Sequence, residues 1–270
     1  MDFQTLMNHY MTRHVARLRS SKKVESHVKP LRDFFGTLPL DQVTEQRINE
    51  FKWSRMGKVK PATINRSLAA LHKSLALAKE WGWISTVPTV HLEKENNARD
   101  RYLTQDEEDR LLEAAPVWMQ ELITFFLNTG LRLSEALELR WSHVDLKRRT
   151  ILIARSKNGH KRTIPLNEKA MEIIHKKMKS RVNGLIFPSV RSGKVISTFH
   201  YERAFRRAVK KAGLTDLKGH DLRHSFASRI AQRGIDLYRI QRLLGHTTPT
   251  MTQRYAHHNA ESLREVVSLL

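Results

Sequence analysis

Three short segments of this chain carry residue types that handle anions and protons. The first is Thr129-Gly130-Leu131-Arg132-Leu133-Ser134-Glu135. Gly130 can end one helix and another starts near Leu133. Arg132 then falls at a helix N-terminus, where free N–H groups and the dipole favour an anion. Its planar fork suits two phosphate oxygens; on its own it could equally be solvated or paired with Glu135. The second segment is His220-Asp221-Leu222-Arg223-His224-Ser225-Phe226-Ala227. On a helix, His220, Arg223 and His224 share one face, continued by the small Ala227 and Ala231, while Leu222, Phe226 and Ile230 face a core. Histidines at i and i+4 are also a metal-ligand spacing, but Arg223 between them would repel a cation, so no metal is expected. The third is Leu243-Leu244-Gly245-His246, then Tyr255. Leu237, Ile240, Leu243 and Leu244 make an amphipathic helix that Gly245 ends, and His246 emerges past the stop. Thr248-Pro249 reads as the cap and first residue of a short helix carrying Tyr255. A lone tyrosine there is ordinarily a core residue with a polar tip.

These segments need a scaffold, and the pattern is mostly helical. Pro61 suits a first helical position, and Ile64, Leu68, Leu71, Leu75 and Ala78 recur at helical spacing until Gly82. Arg66 and Lys73 lie on one side of that helix and could meet phosphate; a solvated basic face is the plain alternative. Phe3–Arg17, Val24–Phe35 and Thr44–Trp53 also read as helices. Val87–Arg101 loses periodicity and reads as an interdomain linker. Thr104 with Glu107 forms a capping-box pattern opening a new helix. One β interruption follows: Thr150–Ala154 and Lys161–Leu166 flank Asn158-Gly159, a favoured tight-hairpin centre. Lys157 therefore sits beside the hairpin tip. The expected class is α+β: mainly α with a small antiparallel β-sheet, divided into a helical domain at 1–92, a linker at 93–100 and a second domain at 101–270.

Bulk properties narrow the partners. Lys and Arg number 48 against 27 Asp and Glu, a formal net charge of +21 over 270 residues. Basic residues occur from Arg13 to Arg264, interleaved with core positions, so the charge is not confined to a tail and suits a polyanion partner; on charge alone a basic ribosomal or RNA-processing factor is the plain alternative. No apolar run approaches the roughly 20 residues that span a bilayer. The first residues show no signal-peptide block. There is no cysteine, which removes disulfides and thiolate chemistry and suits a cytoplasmic setting.

Taken together, the three segments resemble the tyrosine recombinase (phage integrase) family, of the two-domain Xer-like type. TGLRLSE is similar to the segment bearing that family's first arginine, HDLRH to its HxLRH box and LLGH to the box of its next histidine, with the nucleophilic tyrosine about nine residues on. The resemblance implies Arg132, Lys157, His220, Arg223, His246 and Tyr255 as catalytic residues, with Glu135 supporting the first arginine and His224 in a supporting layer. It implies a helical core-binding domain and a catalytic domain clamped around double-stranded DNA, strand exchange through a Holliday junction, and a tetramer on DNA. A lambda-type arm-binding domain has no room in this chain. Leu263, Val266, Val267 and Leu270 form an apolar stripe on a tail helix expected to dock into a neighbouring protomer. Accessory DNA-bending proteins stay open.

The implied reaction fits the residue types. Tyr255 attacks a phosphodiester to leave a 3′-phosphotyrosine and a free 5′-hydroxyl. His220 takes the proton of a phenol whose ordinary pKa is near 10. Arg132, Arg223 and His246 hold the non-bridging oxygens, and Lys157 protonates the 5′-oxygen. The covalent link conserves the bond energy, so neither ATP nor any other cofactor is expected. The rivals are a type IB topoisomerase-like enzyme, which would relax supercoils without a recombination site, and a DNA-binding protein without catalysis, which would form no covalent adduct.

Overall fold

The computed structural model describes residues 1–18, 21–95, 101–153, 161–179 and 184–256. They fall into two compact units, Met1–Asn97 and Ala98–Leu270. The first unit is helical: α1 (Phe3–His9), α2 (Ser21–Phe35), α3 (Glu45–Arg55) and α4 (Pro61–Glu80). The helix expected over Phe3–Arg17 is α-helical only to His9, then widens into a π turn at Tyr10–His14 and tightens into a 3-10 turn at Val15–Arg17. Thr44 caps α3 through the Arg47 N–H, and α4 starts at Pro61 with its long apolar stripe buried. Its core joins Phe3, Leu6, Leu31, Phe35, Ile48, Phe51, Leu68 and Leu71.

The second unit holds α5 (Gln105–Ala114), α6 (Val117–Thr129), α7 (Leu133–Leu137), a three-stranded antiparallel sheet, α8 (Glu168–Lys179), α9 (Thr198–Lys211), α10 (Asp221–Ala231), α11 (Leu237–Leu244) and α12 (Thr250–Gln253). The capping box at Thr104 and Glu107 is formed as expected. The sheet has one strand more than the hairpin reading: β1 (Val144–Asp145) pairs with β2 (Thr150–Ile153), which pairs with β3 (Arg162–Pro165). Two residues are too few to show a period, so β1 leaves no pattern in the sequence. The β2–β3 register sets Ile151 opposite Ile164 and Ile153 opposite Arg162. Ile151, Ile153 and Ile164 are buried while Leu152 and Thr163 are exposed, so one face of the hairpin lies on the core. By that alternation Arg162 shares the inward face with Ile164. The turn with Lys157 and Asn158-Gly159, much of the linker at 93–100 and the tail from 257 on lie outside the described residues.

Candidate active site

α6 and α11 both end in left-handed glycines, and those two ends build the site. Gly130 has φ +62, and a Cβ there would lie 2.3 Å from Cδ1 of Phe226. Both the backbone conformation and the close approach of α10 therefore require glycine. Gly245 closes α11 with φ +65, and a Cβ there would meet Cδ of Arg162 at 2.8 Å.

The last carbonyls of a helix have no partner inside the helix and carry the negative end of its dipole. Three guanidiniums converge on those of α11. Arg132 donates from Nη2 to the Gly245 carbonyl at 3.0 Å. Arg223 donates to Leu244 O and, at 2.7 Å, to Gly130 O. Arg162 donates from Nε to Leu243 O at 3.3 Å. One carboxylate sits among them: Glu135 accepts from Arg132 Nη1 at 2.9 Å and from both terminal nitrogens of Arg162 at 2.9 and 2.6 Å. Glu135 also accepts the backbone N–H of Arg132 at 2.9 Å. Arg132 thus caps α7 as expected and takes the pairing with Glu135 that the sequence offered as its alternative to an anion. The two arginines hold the Glu135 carboxyl below the usual range against the opposing effect of burial.

Arg223 is 3% exposed. Burial, and next the neighbouring charge of Arg132, push its guanidinium down to about 9. It stays charged at neutral pH, but at a cost that an anion bound across Arg132 and Arg223 would relieve.

His246 follows Gly245 directly, and its Nδ1 lies 2.8 Å from the buried Thr252 hydroxyl. Nε2 is then the nitrogen left for a ligand. Burial, then the charges of Arg223 and Arg132, lower its pKa to about 3. Tyr255 was expected on a short helix capped by Thr248; α12 instead starts at Thr250 with Pro249 as its N-cap, and Tyr255 lies just past its end. The phenol ring is buried with Ala227, Ala231, Ile240 and Leu244, over the small residues of α10. Its hydroxyl lies 2.6 Å from Nδ1 of His224. His224, expected only in a supporting layer, is thus in direct contact with Tyr255. Its ring meets the His220 ring edge-on at 4.9 Å, and His220 itself is exposed as the N-cap residue of α10. Arg132, Arg223, His224, His246 and Tyr255 are therefore gathered in one place, with Lys157 outside the described residues. Arg66 and Lys73 are exposed on α4 in the first unit, where Arg66 lies 3.6 Å from Glu95.

Two members of the site escape the sequence pattern as read above, Arg162 and Thr252. Arg162 had a usable signal: in Lys161–Leu166 it shares parity with Ile164 and Leu166, and a cation on a core-facing strand position needs a buried partner. Thr252 left none, since a threonine in a short polar helix is unremarkable. Replacing Arg162 with Ala leaves Glu135 with Arg132 alone. Breaking a buried pair of this type costs about 3 kcal/mol; chemical denaturation should show that loss, with Arg162→Lys recovering part of it.

The site's histidines, His220, His224 and His246, are all lowered by burial first and make stability depend on pH. The folded values of about 4 for His224 and about 3 for His246 lie below the ordinary 6.5. Between those values the unfolded chain binds protons that the folded chain refuses, so stability falls as pH drops below 6.5. Glu135, lowered in the folded state, adds to the loss once pH drops below 4.5. Thermal scans should show a flat melting temperature between about pH 7 and 8, declining toward pH 4.5. The decline should be shallower in a His224→Asn/His246→Asn double variant.

A pair of arginine forks and a buried tyrosine share one site on a helical unit with one small sheet. The model of the Phage integrase family matches residues 101–262, and the chain belongs to that family. It is similar to the shufflon-specific DNA recombinase of Escherichia coli, 30% identical over 239 residues that cover 83% of this chain and 60% of the relative. It is also similar to tyrosine recombinase XerC of Xanthomonas campestris pv. campestris (strain B100), 30% identical over 216 residues covering 76% and 67%. Among solved structures, a lambda integrase dimer bound to a COC' core site aligns with TM-score 0.82 and 25% identity over 93% of this chain and 97% of that one. Among the described residues no helix is long and apolar enough to cross a membrane, and no group of three or more His, Asp or Glu side chains is placed to hold a metal.

Proposed function

We propose that this chain is a site-specific DNA recombinase that cuts and rejoins duplex DNA through a phosphotyrosine at Tyr255. The observation that carries the reading is the seating of Arg132 and Arg223 on the end of α11, in the segment that leads on to His246 and Tyr255. That arrangement suits an anion held beside a phenol. The names of the recombinases that this chain resembles agree with it.

In the proposed reaction the scissile phosphate lies across the forks of Arg132 and Arg223, and Nε2 of His246 donates a third hydrogen bond. These groups are placed before reaction, so they stabilise the added charge of the pentavalent phosphorus without reorganising. Tyr255 Oη bonds to phosphorus and the O5′ bond breaks, with Lys157 supplying the proton to O5′. The free 5′-hydroxyl of a partner strand reverses the step, so no ATP or metal enters the cycle. His220, Glu135, Arg66 and Lys73 complete the assignment: His220 beside the proton path, Glu135 fixing Arg132, and the other two on DNA phosphates. Residues 1–92 serve as a DNA clamp and 101–270 as the catalytic domain, in a tetramer whose tail helices dock between protomers. DNA as substrate goes with a cytoplasmic setting.

The test uses duplexes selected by binding from a random-sequence library, then nicked beside each phosphate so that cleavage releases a short fragment and traps the adduct. Denaturing gels should show a protein–DNA band, and proteolysis should leave the DNA label on a peptide containing Tyr255. Tight binding with no adduct on any nicked duplex would point to a DNA-binding protein without catalysis.

A further inference from the structure

A phenol is a poor nucleophile until its proton leaves, and the group that accepts the proton has to be within hydrogen-bond reach. Nδ1 of His224 lies 2.6 Å from the Tyr255 hydroxyl. Position and chemistry agree at this contact. His224 sits one turn into α10, a helix anchored to the second unit's core by Leu222 and by Ser225, whose hydroxyl accepts the Leu103 N–H at 2.8 Å. The ring is therefore held by a rigid element while Tyr255 sits on the short segment after α12. His220 is placed differently: it is exposed at the helix cap and stacks edge-on against His224.

We propose that His224 is the residue that accepts the Tyr255 proton during cleavage and returns it during rejoining. This role rests on the phosphotyrosine reading above. The Tyr255 O–H donates to Nδ1; as Oη bonds to phosphorus, the proton passes to Nδ1 and the ring becomes an imidazolium. The P–O5′ bond breaks and O5′ takes its proton from Lys157. Rejoining runs each transfer backward, so protons and electron pairs balance over the cycle. Burial and the charges of His220, Arg254 and Arg223 all disfavour a proton on His224, against a smaller opposing pull from Asp221. The ring is therefore neutral, with a lone pair available, across the neutral pH range. The imidazolium it becomes is disfavoured by the same groups, which drives the proton back to the phenolate leaving group in the rejoining step.

The experiment is single-turnover adduct formation on the nicked duplex that wild type cleaves, across pH 6 to 9, with DNA affinity measured in parallel. His224→Ala should lose about 10²–10³-fold in rate with affinity retained, and added imidazole should restore part of it. His224→Asn places an oxygen near Nδ1 without its basicity. It should keep the fold and melting temperature of wild type, stay slow at pH 7 and gain rate steeply toward pH 9. Nitrogen-15 histidine spectra of the full chain should show Nδ1 of His224 as the unprotonated nitrogen. A wild-type rate in either variant, no response to imidazole, or a proton found on Nδ1 would overturn the role. A pH-sensitive collapse in His220→Ala with His224→Ala near wild type would assign it to His220 instead. Absence of any wild-type adduct would overturn the phosphotyrosine reading itself, and this role with it.

Discussion

Tyr255→Phe will leave a folded protein that still holds DNA and will form no covalent adduct. The substitution deletes one oxygen from a buried ring and keeps the ring's packing against Ala227, Ala231, Ile240 and Leu244. The loss in stability is the hydrogen bond to a neutral imidazole, about 1 kcal/mol, a shift of about 2–4 °C in melting temperature for a unit of this size. The loss in reaction is of a different order. No neighbouring side chain can substitute for the missing nucleophile, so adduct formation should drop by about 10⁴-fold or more. Gel shift and suicide cleavage on the same duplex separate the two effects. An adduct persisting in Tyr255→Phe would place the nucleophile elsewhere and remove the chemical meaning of the His224 contact.

Much of this site was legible in the sequence because its members sit at helix punctuation. Gly130 and Gly245 announced helix ends, and the residues next to them, Arg132 and His246, had to emerge at those ends. The periodicity of α10 put Arg223 and His224 on the face of the small Ala227 and Ala231, the side where Tyr255 packs. Local pattern could not show which acceptor each fork would take. Arg223 reaches Gly130 across 93 residues and Arg132 reaches Gly245 across 113. Carbonyl acceptors of that kind depend on how α6, α10 and α11 pack, and every residue has a carbonyl. Glu135 can cap its own helix or meet a strand residue, and here it does both. Residue type alone also could not rank His220 against His224; the ring that meets Tyr255 is decided by the depth of each along α10. The family resemblance supplied roles for these side chains, while the contact of Arg162 with Glu135 came only from the three-dimensional arrangement.

Arg223→Ala is expected to separate catalysis from stability. In the folded protein the guanidinium is buried beside Arg132, and both facts oppose its charge. Removing it relieves that cost but leaves Gly130 O and Leu244 O without their donor, about 1–3 kcal/mol for each such group. The two changes oppose each other, so the net change in stability should stay within about 2 kcal/mol. The reaction has no such compensation. A single preorganised donor to a developing oxyanion is worth about 10²–10³-fold, and Arg223 brings two donors and a full charge, so adduct formation should fall at least about 10³-fold. DNA affinity should change little, because one phosphate contact is a small part of a salt-dependent total. Arg223→Lys should recover only a minor share, since one ammonium cannot hold Gly130 O, Leu244 O and a phosphate oxygen in the geometry of a planar fork. A duplex with a methylphosphonate at the scissile position tests the cause directly. It removes the negative charge that Arg223 is there to balance, so the gap between Arg223→Ala and wild type should narrow on that substrate. An unchanged gap would mean that Arg223 acts by holding Gly130 and Leu244 in place, and that the anion is held elsewhere.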